Sequence, residues 1–243
     1  MPSVTTKVKY PVSPPVEPAY DRLPLGEWAS IDDVPADVAL VYDLANSIDE
    51  RVFERHAHRT GRRDLFGSEE DLSRWLVSRG FEVDEVSEPD LELARRVRAA
   101  IRAAARANAD PREIAAAQAS FAEAAADLSM SVRLGEGGAP LLTPNGTGVR
   151  GALAAILVQA TWAVAGDRWT RLKMCADDDC RWVFYDASRP RTGRWCAMAS
   201  CGHRMKTRAY RRRRATRSRP GLGSRPDAVN VASWEADLLR DGS

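Results

Sequence analysis

The amino-acid sequence predicts a mainly α-helical protein, with a helical N-terminal domain followed by a small module built around four cysteines. Three observations lead to this prediction. Apolar residues recur at helical spacing through about 130 residues, which is enough for one packed core. All four cysteines of the 243-residue chain lie between Cys175 and Cys201. A segment of good helix formers that is rich in arginine follows the last of them.

Residues 1–37 are predicted to form a Pro-rich arm, because four prolines between positions 11 and 18 favour extended backbone. The arm lacks the apolar core of a signal peptide, so we expect a cytoplasmic protein. The most apolar stretch, Gly151–Gly166, contains Gln159 and is shorter than the roughly 20 residues of a membrane span. It predicts a buried core helix, and no membrane association is expected.

Five helices are predicted across residues 38–170. The first covers Asp37–Asp49, where Val41, Leu44 and Ile48 share one stripe, although a run this short is also compatible with a strand. Capping residues and apolar faces predict the other four. They cover Ser68–Gly80, Pro89–Asn108, Asp110–Leu128 and Val149–Ala165. Glycines interrupt Val132–Leu142, which predicts a short hairpin between the last two helices.

Charge is distributed unevenly along the chain. The net charge is only +2, but residues 1–170 carry 19 basic and 26 acidic residues, whereas residues 171–220 carry 15 basic and 4 acidic ones. The near-neutral total therefore conceals an acidic body and a strongly basic module. An excess of eleven positive charges within fifty residues favours a polyanionic partner for that module.

The four cysteines form two close pairs, Cys175 with Cys180 and Cys196 with Cys201, separated by fifteen residues. Two such pairs can supply the four thiolates of a tetrahedral site, for which one zinc ion is the natural occupant. The four residues that separate the cysteines within each pair are more than the commonest zinc knuckle has between its ligands. Two disulfides, an iron–sulfur cluster or a chance grouping of free cysteines remain as alternatives at this point.

The residues around the cysteines predict a β-hairpin and a basic helix, so that the module would be a treble-clef-like zinc finger. Trp182–Tyr185 has the aromatic, β-branched character of a strand. From Cys201 onward the chain favours a helix that ends before Pro220. Such a helix lays cations along a phosphate backbone. The predicted contacts to double-stranded DNA are Arg189, Arg191, Arg194, His203, Arg204, Lys206, Arg208, Arg211, Arg212, Arg213 and Arg214.

The segment from Cys175 to Arg213 resembles the CGNR-type zinc finger of bacterial proteins, which combines a Cys pair, a W-x-F-x-D-x-S stretch and an R-W-C-x-M-x-x-C-G-N-R-x-K ending. The matching positions are Cys175, Cys180, Trp182, Phe184, Asp186, Ser188, Arg189, Arg194, Trp195, Cys196, Met198, Cys201, Gly202, Arg204 and Lys206. Upstream, Tyr42–Asp49 and Leu65–Gly80 are similar to the ABATE domain that accompanies this finger.

The resemblance implies a bacterial stress-related transcription regulator. A sensing or oligomerisation domain at residues 38–170 would precede a zinc finger at 171–215 and a tail at 216–243. It also implies a small-molecule effector or a partner at the helical domain, with Asp43 and Asn46 as candidate ligand contacts, and a homodimer is possible on the same ground. No hydrolase, NTPase or dinucleotide motif is present, so we do not expect an enzyme.

The chain departs from the family pattern at three positions. His203 replaces the family Asn, Pro190 replaces another Asn, and Gly193 stands where a second Arg is usual. The metal site is expected to survive, whereas His203 offers a different hydrogen-bond partner to a base, a phosphate or a cysteine sulfur. An RNA-binding or ribosome-associated finger is the alternative function, with Trp182, Tyr185 and Trp195 stacking on unpaired bases.

Overall fold

The computed structural model of the protein describes residues 34–217, apart from 52–53, 56–57, 60–62 and 136–137. The predicted Pro-rich arm and C-terminal tail lie almost entirely outside the described residues. The chain divides into two compact units, one ending at His203 and the other beginning at Arg204. Each unit is described by itself.

The described residues contain six α-helices and eight short strands. The helices are α1 (Ala36–Ala45), α2 (Glu69–Val77), α3 (Glu88–Ala107), α4 (Ile114–Ala126), α5 (Gly148–Ala165) and α6 (His203–Arg217). The strands are β1 (Ile48–Asp49), β2 (Glu54–Arg55), β3 (His58–Arg59), β4 (Arg63–Asp64), β5 (Met130–Leu134), β6 (Pro140–Pro144), β7 (Leu172–Met174) and β8 (Val183–Tyr185). They form four antiparallel pairs, β1 with β4, β2 with β3, β5 with β6 and β7 with β8. The mainly helical class predicted from the sequence is confirmed.

Local capping explains where the helices begin. The Ser68 hydroxyl accepts a hydrogen bond from the Asp71 amide at 3.1 Å, which satisfies one of the free N–H groups at the start of α2. At α3, Ser87 and Asp90 form a reciprocal capping box. Gly80 follows α2 with a φ of 78°, a left-handed conformation that glycine adopts without steric cost.

The core of the first unit lies where α1, α3 and α5 pack together. Helix α5 is buried along much of its length, with Leu153, Ile156 and Leu157 almost fully enclosed. Of the helices among the described residues, α5 alone has the length and apolar composition to cross a membrane, and half of it is buried inside the fold. A core helix of a soluble protein meets the same criterion, so this is weak evidence for a membrane span.

Two details differ from the sequence-based expectations. Helix α1 ends at Ala45, and Ile48–Asp49 instead forms β1, because the chain turns at the buried residues Asn46 and Ser47. Helical spacing places Ile114 on the same side of α4 as the partly buried Phe121, but Ile114 is 46% exposed. The buried residues of α4 are Ala117 and Ala124, whose small side chains allow close approach to the neighbouring helices.

Candidate metal centre

The first cysteine pair lies on the loop between β7 and β8. Cys175 directly follows β7, and its amide donates to the Trp182 carbonyl at 2.8 Å, so that the strand pairing continues past the cysteine. The amides of Cys180 and Arg181 both donate to the Asp177 carbonyl. Arg181 has a φ of 52°, which turns the chain back toward β8. The loop thus holds both sulfurs on one side despite the four-residue spacing.

The second cysteine pair lies at a single turn of π-helix that covers Met198–Gly202. Cys196 precedes this turn and Cys201 lies inside it. The Gly202 amide reaches back to the Ala197 carbonyl at 3.1 Å, a hydrogen bond that spans five residues. Because a π turn is wider than an α-helical turn, it accommodates the four residues between Cys196 and Cys201. The commoner zinc knuckle has only two residues between its ligands and does not need such a turn.

The four sulfur atoms have the spacing of a tetrahedral metal site. All lie within 4.8 Å of one another, and the Cys196 sulfur is 3.7 Å from those of both Cys180 and Cys201. With zinc–sulfur bonds of about 2.3 Å, a regular tetrahedron places its sulfurs about 3.8 Å apart. All four cysteines are free rather than joined in disulfides. The donor set and its dimensions therefore fit one zinc ion.

The thiols cannot all ionise unaided, because they are buried close together. The pKa of Cys175 is lowered because the Cys180 thiol hydrogen-bonds to its sulfur. The pKa values of Cys180 and Cys196 are raised, first of all by hydrogen bonding with Cys175 and then by the other thiols and burial. A bound divalent cation would favour the ionised form of all four thiols, since it stabilises the four thiolates together.

A buried arginine of the helical region lies beside this cluster. The Arg51 guanidinium stacks over Trp182 at 4.7 Å from the ring centroid, and it pairs with Asp49. Burial by itself lowers the pKa of Arg51, but the hydrogen bonds to Asp49 and the charges of Asp49, Cys180 and Cys196 together raise it. The cation therefore offsets part of the negative charge that a four-thiolate site carries.

The loop between β8 and Cys196 is organised by Asp186. Its carboxylate accepts hydrogen bonds from the Lys173 ammonium and the Gly193 amide, each at 2.8 Å, and from Ser188. Although burial would raise it, the bonds from Lys173, Ser188 and Gly193 lower the pKa of Asp186 to about 2. A Cβ atom at Gly193 would come within 2.8–2.9 Å of this carboxylate. The absence of a side chain at Gly193 is therefore required by this loop conformation.

The cysteine-bearing strands are joined to the helical region by buried hydrogen bonds. The Asn46 amide both donates to the Val183 carbonyl at 2.9 Å and accepts from the Val183 amide at 3.0 Å. Trp182 donates to the Tyr42 hydroxyl at 3.2 Å. Arg102 of α3 donates to the carbonyls of both Ala45 and Arg181. The first half of the finger therefore packs as part of the same compact unit as the helices.

These contacts also show where the candidate ligand residues lie. Asn46 is 6% exposed and uses its amide to connect α1 to β8. The Asp43 carboxylate lies 3.5 Å from the Arg79 guanidinium. Both residues are occupied in contacts of the fold, and ligand binding by either one stays a prediction.

The arginines predicted to contact DNA fall in both units. In the first unit, Arg189, Arg191 and Arg194 are exposed on the loop before Cys196, and Arg191 pairs with Asp167. Arg194 lies over Trp195, 5.6 Å from the ring centroid. His203 is exposed at the first position of α6. In the second unit the basic residues on α6 are Arg204, Lys206, Arg208, Arg211, Arg212, Arg213 and Arg214, and all except the half-buried Arg204 are exposed.

Comparison with known protein families agrees with this architecture. A family model named ABATE, described as "Putative stress-induced transcription regulator", matches residues 38–171, more than half of the chain. The chain belongs to the ABATE family. A second model, the CGNR zinc finger, matches residues 171–214 and contains all four cysteines. No curated protein matches this ABATE chain.

The architecture predicted for the ABATE protein is therefore confirmed, and its four clustered cysteines fit the one zinc ion per chain that was predicted. Sequence reasoning missed Arg51, Lys173 and the structural role of Asn46. Asp186 did carry a signal, because it stands at the aspartate of the W-x-F-x-D-x-S pattern. Lys173 and Arg51 carry no such signal in the sequence, since they contact Asp186 and Trp182 only in the folded chain.

Proposed function

We propose that this ABATE protein is a DNA-binding transcriptional regulator that uses the CGNR finger to contact duplex DNA. The observation that carries the proposal is the composition of α6. Its fifteen residues include eight arginines or lysines and no acidic residue. Like charges three and four residues apart repel one another along a helix, and a phosphate backbone relieves that repulsion while releasing counterions.

The loop before Cys196 adds further cations to this proposal. Arg189 is exposed, and among the described residues it has no carboxylate partner. Arg191 is exposed as well, and it forms an ion pair with Asp167 that a phosphate group would have to displace. Contacts from such side chains to phosphates set affinity and register, while a few of the α6 residues and His203 would reach base edges.

The structure favours duplex DNA over the RNA alternative in one respect. Trp182 was one of three aromatic residues offered for stacking on unpaired bases. It is 3% exposed and hydrogen-bonded to Tyr42, so a base cannot reach its face. Trp182 is therefore not available for the base stacking that single-stranded RNA binding would use. The exposed cations that would contact DNA phosphates are unaffected by its burial.

Control by a small-molecule effector and assembly into a homodimer belong to the same proposal. The buried connection through Asn46 and Arg102 gives the helical domain a direct route to the finger. Exposed Ile114 and Val164 flank an apolar groove of about 510 Å³ between α3, α4 and α5, a surface suited to a second copy. Neither family is a family of enzymes, and the cytoplasm remains the proposed location.

The test is fluorescence anisotropy of the zinc-loaded protein with labelled duplexes from its own upstream region across a salt series. We expect affinity to fall steeply with salt, with a log–log slope on the order of several units. The variant Arg211→Gln/Arg212→Gln should lower that slope by about two units and the affinity at least tenfold. Glutamine preserves helix propensity, so α6 itself should persist.

The matched control is Arg74→Gln/Arg133→Gln, which removes the same charge from exposed positions outside the finger and should bind like the wild type. A flat salt response, or equal losses in both variants, would contradict DNA binding by α6. Stronger competition by a structured RNA hairpin than by unlabelled duplex would favour the RNA alternative.

A further inference from the structure

A second, polar cavity lies in the first unit between the helical domain and the finger. Its volume is about 590 Å³. One wall is the end of α3 and the turn that follows it, from Arg106 to Arg112. The opposite wall is residues 173–176 of the finger together with the loop 191–194. We call this space the interdomain basin.

Cationic side chains outnumber carboxylates in the lining of the basin. Its lining includes two carboxylates, Asp110 and Asp178, and six cations, which are Arg106, Arg112, Lys173, Arg181, Arg191 and Arg194. Most of these cations have carboxylate partners in the fold. Arg112 pairs with Asp110, whereas the pair between Arg181 and Glu50 is long, at 3.8 Å. Arg106 also pairs with Glu113 at 3.2 Å, so five of the six cations have a carboxylate partner, and Arg194 is the one for which the described residues supply none.

Arg194 is the least committed of these cations. Within the described part of the chain its guanidinium contacts the Trp195 ring and no carboxylate. Its neighbour Thr192 also lines the basin, and its hydroxyl has no hydrogen-bond partner among the described residues. A guanidinium and a hydroxyl at one rim form a donor set that matches the oxygens of a phosphate group.

The size of the basin sets the class of ligand. Pockets for small molecules and cofactors span about 300–1,000 Å³, so 590 Å³ accommodates a molecule about as large as a nucleotide. Arginines line both walls, and the ion pairs of Arg106 and Arg112 are exposed enough for a bridging anion to displace them. We propose that the interdomain basin is a binding site for a phosphorylated small molecule, held by Arg106 and Arg112 of the helical domain and by Arg194 of the finger.

Such a ligand would act directly on the finger. The Ala176 amide donates to the Arg194 carbonyl at 2.8 Å, and the Lys173 ammonium donates to the Arg191 carbonyl. The basin wall is therefore the backbone that carries Cys175 and leads to Cys196. If the proposed DNA binding holds, ligand and phosphate backbone compete for Arg194, and the ligand should weaken DNA binding.

The experiment titrates adenosine diphosphate into the full-length, zinc-loaded protein in low salt without DNA, using calorimetry and Trp fluorescence. Saturable binding of one molecule per chain is expected, and adenosine, which lacks the phosphates, should not bind. Arg106→Gln/Arg112→Gln should weaken binding at least tenfold. Arg74→Gln/Arg95→Gln removes the same charge outside the basin and should leave it unchanged.

Absence of saturable binding by the wild type overturns the proposal, as does equal weakening in the control variant or equal binding of adenosine. A parallel duplex titration separates the two sources of phosphate. The Arg106→Gln/Arg112→Gln variant should bind duplex within twofold of the wild type. If it loses duplex and adenosine diphosphate affinity together, the basin is part of a DNA surface and the small-molecule site is wrong. Because the first titration contains no DNA, it succeeds or fails independently of the proposed regulator function.

Discussion

The helical core and the cysteine cluster belong to one compact unit but are stabilised by different means. Among the described residues, the helical core contains 29 buried residues in one continuous cluster. The cysteine cluster contains five, and three of them are cysteines whose thiols would be metal ligands. Burial of apolar surface is sufficient for the first region and insufficient for the second. The finger therefore depends on zinc and on its contacts with the helices.

Those contacts explain why the finger has so small a core of its own. Strands β7 and β8 contribute Leu172, Met174 and Val183 to the helical core. Asn46 and Tyr42 then extend hydrogen bonds to the residues that lead into the cysteine cluster. The first half of the finger is thus supported by the helical domain, whereas the second half, around Cys196 and Cys201, relies on the metal.

The largest effect should come from removing one zinc ligand. Cys196→Ser should abolish stoichiometric zinc binding and unfold the second half of the finger, because structural zinc contributes about 10–16 kcal/mol of folding free energy in small domains. Metal analysis should fall from one zinc per chain to a small fraction. Helical circular dichroism should be largely kept, since the 29-residue core does not include Cys196.

Ser200→Ala is the matched control, because Ser200 lies in the same π turn and its buried hydroxyl has no partner within the described structure. It should retain zinc and full stability. If Cys196→Ser melts the helical core as completely as the finger, the two regions do not differ in the way proposed.

An intermediate effect is expected from breaking the connection between the regions. Asn46→Ala leaves the buried amide and carbonyl of Val183 without partners, which should cost about 2–4 kcal/mol of unfolding free energy. Urea unfolding followed by circular dichroism measures this loss. Zinc should also leave faster when a chelator is added, because β8 leads directly into the cluster.

Asn145→Ala is the comparison, since Asn145 bonds to Ser129 and Ser131 beside the hairpin β5–β6, away from the cysteines. It should alter stability less and leave zinc release unchanged. Equal release rates in wild type and Asn46→Ala would show that the helical domain does not support the metal site.

The smallest effect concerns an ion pair that belongs to the helical region alone. Burial would raise the pKa of Asp64, but hydrogen bonds from Arg98 and the Phe66 amide lower it. The ionised carboxylate therefore stabilises the fold above pH 4 and loses this effect as pH falls below that value. Water reaches about a third of the carboxylate, so Asp64→Asn should cost only about 1 kcal/mol at pH 6.

In urea unfolding experiments, that difference between wild type and Asp64→Asn should shrink as the pH falls below 4, and it should vanish only at a pH below the lowered pKa of Asp64. Asp84→Asn, at an exposed carboxylate, should show no difference at any of these pH values. A gap that stays constant with pH would mean that the Asp64 charge does not stabilise the fold.

Much of the fold could be predicted because its signals are local. Ser68, Ser87 and Asp110 cap helices that start within a few residues of them, so short sequence patterns suffice. The inward positions Leu91, Val97 and Ile101 follow directly from helical spacing. The two close thiol pairs also predicted a metal site from local spacing, although the sequence pattern alone left an iron–sulfur cluster and disulfides open.

The helical class, the grouping of the four cysteines and the basic helix that follows them can all be predicted from the amino-acid sequence. Three other features are visible only in the folded chain: Asn46 connects α1 to β8, Arg51 stacks beside the cysteine cluster, and Arg106 and Arg194 line one basin. The physical reason is separation along the chain. A cap or a helix face involves neighbours, whereas each of these contacts joins residues 80 or more positions apart, and their energies depend on burial that exists only after folding.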